Sequence, residues 1–289
     1  MVVPARISIV TPCLNSRDFV DRTVRSVVEQ NYANLEYIVA DGGSTDGSLE
    51  ILARHGEHIA HLLSGPDQGH YDALNKGFGR STGEIMGWLN SNDIHFPWTL
   101  SIISEIFGTF PAIEWLTTLV PVAIDERDRV VAAHRFPGFG RKAFRRGENI
   151  PIGGWPRTDW IQQEATFWRR SLWERTGAKL EALVACDFEL WARFFNRAPL
   201  YGVEVPLAGF RIHRDQRSRS LRGRYNDEAF ASFRRHGGRI PGRATTFCQR
   251  VLQRIVPGRW RIAFGLSEAR PIVRFAEQSG AWQIVEHYI

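Results

Sequence analysis

The chain has 289 residues, 43% of them hydrophobic, and a formal net charge of +6, enough apolar material to bury a sizeable core as one elaborated domain or a domain with an appendage. No apolar run approaches the ~18 residues needed to cross a bilayer, and Met1–Val10 lacks the charged start and long apolar stretch of a secretion signal, so a cytoplasmic globular protein is expected. Cys13, Cys186 and Cys248 are odd in number and far apart, which argues against a disulfide partner or a cysteine zinc site.

In chain order, Arg6–Thr11 reads as a β-branched strand stopped by Pro12, and Asn15 or Ser16 can cap a helix carrying Phe19, Val20, Thr23, Val24, Val27 and Val28 at helical spacing. Leu35–Ala40 is a second strand, closed by the glycine-rich turn from Asp41, with a helix over Gly47–Arg54 capped by Asp46 or Ser44. Ile59–Ser64 is a third strand, followed by a helix from about His70 to Gly79. Glu84–Leu89 is a fourth strand, emptying into Asn90-Ser91-Asn92-Asp93. This alternation predicts an α/β fold with a mostly parallel sheet.

Pro97 can start a helix to about Phe107, Trp115–Ala123 and Val130–His134 read as strands, and Phe136–Trp155 reads as a long loop. A short strand over Glu164–Trp168 precedes helices at Ser171–Thr176 and Asp187–Asn196, then strands at Tyr201–Val205 and Leu207–His213. From Ser220 the pattern is helical and basic, Leu221–Arg235 and Arg243–Val256, ending in a β-hairpin of Pro271–Ala276 and Trp282–Glu286. Between Phe210 and Arg261, fourteen arginines stand against Asp215, Asp227 and Glu228, so the positive charge is a C-terminal property. No nucleic-acid motif accompanies it. It suits a solvated surface or, with the Phe247, Val251, Leu252 and Ile255 stripe, a peripheral contact with the inner face of a membrane.

Asp41, Asp67 and Asp93 close successive strands, and parallel strands place such ends along one edge, where ligands collect in open α/β sheets. Each acid could instead cap a turn, but three in succession point to a polar ligand such as a nucleotide.

Val10-Thr11-Pro12-Cys13-Leu14-Asn15, Tyr37–Asp46, Pro66–Gly77 and Trp88–Asp93 resemble, in order, motifs of the family 2 glycosyltransferases of GT-A fold. Gln163–Arg170 is similar to that family's acceptor-side segment, Ala185–Trp191 to its catalytic-base helix and Phe210–Ser218 to the motif closing the catalytic domain. The resemblance implies a Rossmann-like sheet flanked by helices over residues 1–219, with a nucleotide half at 1–93 and an acceptor half at 94–219, and a basic helical extension with a terminal hairpin at 220–289. It implies transfer of a sugar from a nucleoside-diphosphate donor, UDP favoured and GDP possible, to a saccharide or lipid-linked acceptor, in cell-surface polysaccharide or lipopolysaccharide assembly.

Residue by residue, the resemblance implies that Thr11, Pro12 and Asn15 line the nucleotide pocket, Asp41 reads the base edge, and Asp67 with Gln68 approaches the ribose or base. Asn75 and Lys76 would face the diphosphate or sugar. Asn92 stands where the family carries an aspartate of the metal motif, which leaves Asp93 to hold a divalent cation, Mg2+ or Mn2+, with His213 as a further contact to cation or diphosphate. A base must take the acceptor hydroxyl's proton, and Asp187 is the candidate, with Glu189 second and a helix cap the structural alternative. Direct attack by one base predicts inversion. Trp155 and Trp160, beside Gly153-Gly154, are candidates to stack on an acceptor sugar, with Glu164 nearby in sequence. A nucleotidyltransferase and an inactive nucleotide-sugar-binding protein remain alternatives; Thr11–Asn15 lacks the glycine-rich, basic triphosphate loop of the first.

Overall fold

The computed structural model describes residues 4–150, 159–181, 183–214, 216, 220–242 and 266–288, together with 244, 245, 248, 251, 252, 255–257, 260, 261 and 264. Trp155, Ser218 and half of the helix expected over 243–256 lie outside the described residues. The N-terminal half alternates as expected: β1 (Ile7–Cys13), α1 (Val20–Val28), β2 (Leu35–Asp41), α2 (Ser48–Arg54), β3 (His61–Ser64), α3 (His70–Arg80) and β4 (Ile85–Trp88). There follow β5 (Ile94–His95), α4 (Thr99–Thr109), β6 (Trp115–Thr118), β7 (Val122–Ile124), β8 (Val130–Ala133) and α5 (Arg141–Arg145). Then come β9 (Thr166–Arg169), α6 (Arg170–Arg175), α7 (Cys186–Phe195), β10 (Tyr201–Val203), β11 (Ala208–Arg211), α8 (Arg222–Arg235), β12 (Ala269–Ala276) and β13 (Ala281–Tyr288).

A nine-stranded sheet runs β13-β12-β10-β6-β9-β4-β1-β2-β3, and a four-stranded sheet runs β5-β11-β7-β8. In the large sheet β1 pairs in parallel with β2 and β4, and β2 with β3, so the ends of these strands share one edge. β9 is antiparallel between β4 and β6. Pro12 does not stop β1. Val10 accepts from the Leu89 N–H on the β4 side while Cys13 accepts from Gly42 on the β2 side, so Pro12 points its missing N–H towards β4, beyond the last paired residue, Trp88. A proline there costs no ladder hydrogen bond.

Helix packing follows from the buried stripes. α1 buries Val20, Thr23, Val24 and Val27, and α3 lies so close to β1 that a Cβ at Gly77 would meet Val10 Cγ1 at 2.4 Å. On the same side as α3, Trp191 of α7 stacks on Trp88 of β4 at 5.9 Å between centroids and on Trp115 of β6 at 5.7 Å. Such pairs are worth about 0.5–1.5 kcal/mol each beyond burial. They seat the middle of α7 against the strand that leads to Asp93.

Three further expectations change. Trp115–Ala123 is not one strand: β6 enters the large sheet and β7 the small one, with Val120-Pro121 as the break. The loop expected over Phe136–Trp155 contains α5, whose first N–H groups donate to a distant carboxylate, Lys142 N to Glu268 at 2.7 Å. The terminal hairpin forms and is not an appendage, because β12 pairs in parallel with β10 and extends the large sheet. Among the described residues no helix is long and apolar enough to cross a membrane, and all three cysteines are free.

Candidate active site

Past the ends of β2 and β3 a cleft of about 200 Å³ is lined by Asp41, Ser64, Gly65, Pro66, Asp67 and Lys76 among others. Asp41 is held there by the Ser64 hydroxyl at 2.9 Å and by the N–H groups of Gly43 and Ser44. Asp67 lies directly over Gly42, where a Cβ would come within 2.5 Å of its Oδ2, so any larger residue there would have to displace the Asp67 carboxylate. Lys76 donates to the Pro66 carbonyl at 3.1 Å and pairs with Asp72, leaving a half-exposed ammonium at the rim. Gln68 is exposed beside it. Asn15, with φ 48°, accepts from Thr45 N at 2.9 Å and so ties the end of β1 to the Asp41–Asp46 turn.

Two residues expected in this pocket are engaged elsewhere. Thr11 is fully buried, and its hydroxyl accepts from Tyr37 in the core. Asn75 brackets the backbone of Leu180, donating to its carbonyl at 2.9 Å and accepting from its N–H at 2.8 Å. Both ends of that amide are committed to bracing the segment before α7. Pro12 is buried in β1.

The strand end after β4 folds into a buried polar network. Asp93 is 0% exposed; its Oδ1 accepts from the Arg211 backbone N–H at 2.8 Å and its Oδ2 from Asn90 at 3.1 Å. Asn90 also donates to Gln163 at 3.0 Å, which donates in turn to the Trp88 carbonyl. Asn92 sits 3.0 Å from His213 Nε2. Burial pushes the Asp93 carboxyl above its ordinary range, against the Arg211 N–H, the Asn90 amide and the Arg211 charge.

Arg211, 0% exposed, organises this corner. Its Nε donates to the Asn92 carbonyl at 2.6 Å and its Nη1 to the Asp125 carbonyl at 2.9 Å, and its guanidinium pairs with Asp128. Arg22 reaches the same Asp128 at 3.0 Å. The two guanidinium groups lie 5.1 and 5.5 Å from the Phe19 ring, which His213 meets at 5.0 Å.

Across the site, Glu164 is buried and accepts from Gln162 at 2.8 Å. Its carboxyl is raised well above the glutamate range by burial, then by the charge on Asp93, with a smaller push from Asp187. Glu164 thus feels the strand end and the start of α7 together. Asp187 is half-buried. Its Oδ1 accepts from the Phe188 N–H at 2.7 Å, and Tyr225 of α8 donates to the carboxylate at 3.1 and 3.2 Å. Burial lifts Asp187 to about 6, against those two donors. Trp160 is exposed and packs on Phe136 at 5.1 Å and His134 at 5.4 Å. Glu189 faces away, bonded to Arg193.

A divalent cation can be weighed against these side chains. Among the described residues no group of three or more His, Cys, Asp or Glu could hold a metal. Asp93, Asn92 and His213 offer one carboxylate, one amide oxygen and one imidazole, a set too poor to enclose Mg2+ or Mn2+ alone. A cation there would need phosphate oxygens to complete its shell, and both oxygens of Asp93 already accept, from the Arg211 N–H and from Asn90.

Sequence reasoning missed Arg211 as an organiser, and it missed Tyr225 and Glu228. The last two lie on the face of α8 that buries Ala229, Ser232 and Phe233, so the helical period of Leu221–Arg235 contained the signal.

The sequence profile described as "Glycosyl transferase family 2" matches residues 8–112. The uncharacterized glycosyltransferase Rv1514c of Mycobacterium tuberculosis is 39% identical over 88 residues, 30% of this chain; the match spans about a third (34%) of that relative's length. TarS of S. aureus, solved with UDP-GlcNAc, superposes with a TM-score of 0.59 over 74% of this chain and 61% of that one, at 15% identity. Glucosyl-3-phosphoglycerate synthase of Mycobacterium tuberculosis, solved with Mn2+, UDP and phosphoglyceric acid, gives 0.53 over 83% and 80%, at 20% identity. At such identities the two structures speak for the fold alone, a GT-A fold with a mostly parallel central sheet. Residues 8–112, which carry Asp41, Asp67 and Asp93, are thus the part of the chain that matches glycosyl transferase family 2.

Proposed function

We propose that the chain is an inverting glycosyltransferase that moves a sugar from a nucleoside diphosphate, UDP before GDP, to a hydroxyl of a saccharide or lipid-linked acceptor. The observation that carries this reading is the cleft past β2 and β3 lined by Asp41 and Asp67, on the sheet edge to which the parallel strand β4 also delivers Asp93. The UDP and UDP-GlcNAc held by the compared structures support the choice of donor.

The cleft at Asp41 and Asp67 takes the base and ribose: a carboxylate accepts from a base N–H or a ribose hydroxyl. Lys76 at its rim and His213 beside Asn92 face the diphosphate. Mg2+ or Mn2+ held by Asp93, Asn92 and His213 together with phosphate oxygens would neutralise charge on the departing diphosphate. The acceptor oxygen attacks the anomeric carbon as the carbon–oxygen bond to the diphosphate breaks, and the acceptor's proton passes to Asp187. A carboxylate near 6 remains ionised at neutral pH yet basic enough to take it. Glu164 and Trp160 belong to the acceptor side. NMR-followed hydrolysis of UDP-N-acetylglucosamine or UDP-glucose tests the single displacement: the first sugar released should carry the anomeric configuration opposite to the donor's, and retention would overturn the mechanism.

The proposed setting is the cytoplasmic face of a membrane, in surface-polysaccharide assembly. Ile240, Leu252, Ile255, Trp260 and Phe264 are exposed apolar side chains in the arginine-rich C-terminal stretch. Apolar groups flanked by cations suit an anionic bilayer surface.

A further inference from the structure

The basic C-terminal helix reaches the candidate base. Glu228 of α8 accepts from the Ala185 N–H at 3.0 Å and from Val184, gripping the chain where it enters α7. Tyr225, three residues earlier on the same helix face, donates its phenol hydroxyl to Asp187, 3.1 Å from Oδ1 and 3.2 Å from Oδ2. The hydroxyl lies almost equidistant from the two carboxylate oxygens.

We propose that Tyr225 is a positioning residue for the base, holding the Asp187 carboxylate in one orientation and favouring its ionised form. The inference rests on the reading of Asp187 as the base. Tyr225 is suited to the task because burial, then the neighbouring carboxylate, keep its own phenol protonated far into the alkaline range. An O–H that donates to a carboxylate stabilises the charged form, so removing it must raise the Asp187 pKa. The other ionisable groups around Asp187 do not replace it. Glu164, before β9, is acidic and pushed up by the same charge, and Cys186 and Glu189 share α7 with Asp187. Glu189 is turned to Arg193 and His236. Glu228 is spent on the Val184 and Ala185 N–H groups. The phenol is therefore the side-chain donor that offsets the burial of Asp187, and α8 belongs to the catalytic unit.

The experiment compares the full chain with Tyr225→Phe, which keeps the ring and deletes the hydroxyl. Carboxyl-13C titration should show Asp187 moving up by about half a unit to one unit, the value of one hydrogen bond expressed as pKa. The acid limb of UDP-N-acetylglucosamine hydrolysis should move up with it, and UDP affinity should stay unchanged. Placing 3-fluorotyrosine at position 225, a stronger donor of the same shape, should move both readings down, and this arm stands if Tyr225→Phe does not fold. An unmoved Asp187 titration in either variant overturns the proposal, as does a loss of UDP affinity in step with activity. The reading of Asp187 as base fails separately, if Asp187→Asn retains turnover.

Discussion

Arg211→Met removes the buried guanidinium while leaving the backbone N–H that holds Asp93, so it separates the two supports that one residue gives the strand end. The substitution strands the Asn92 and Asp125 carbonyls, each accepting from Arg211. An unsatisfied buried acceptor costs about 1–3 kcal/mol. Both residues are half-buried, so the lower end applies to each. Asp128 keeps Arg22 at 3.0 Å and is one-third exposed (34%), so its lost pairing adds little. The loss of about 2–4 kcal/mol corresponds to a melting temperature lower by roughly 5–10 °C for a chain of this size. Urea unfolding and calorimetry measure that, and titration with UDP reads the site. UDP affinity should fall, because the Asn92 carbonyl no longer has its anchor. A variant that melts within about 1 °C of the parent and binds UDP equally well would refute the account of Arg211 as the strut of the donor site.

The poverty of the Asp93, Asn92 and His213 set predicts that Mn2+ binds weakly to the free protein and much more tightly once UDP is present. Calorimetric titration of Mn2+ with and without UDP checks this, and equal affinity in both would show that the protein alone supplies the ligands. Sedimentation with vesicles containing phosphatidylglycerol should carry down the full chain but not Ile255→Glu/Phe264→Glu. Partitioning of the double variant equal to that of the parent would remove the C-terminal apolar side chains from any membrane contact.

The strands β1 to β4 were legible because each is a short apolar run closed by a turn, and the acids that follow β2, β3 and β4 mark one edge of the sheet as the candidate site. Legibility failed where partners are distant in sequence. Thr11 and Asn75 occupy motif positions, yet Tyr37 and Leu180 claim their side chains, and nothing local in the sequence announces either partner. α5 reads as loop because its N-terminal donors are satisfied by Glu268, more than a hundred residues away. The division at Ser220 follows composition, whereas Tyr225, Glu228 and β12 bind the C-terminal region to α7 and to the edge of the sheet. A charge boundary is a poor guide to a structural one, since charge reports the solvent-facing side of a helix and packing uses the other.

The most direct test of the central claim is Asp187→Asn in the UDP-sugar hydrolysis assay, with UDP affinity measured on the same preparation. The substitution keeps the size of the side chain and can still accept from Tyr225, but it cannot take a proton. The account predicts that turnover falls by about 10²-fold or more while UDP binds as in the parent. Turnover within a few-fold of the parent would contradict it and move the base elsewhere.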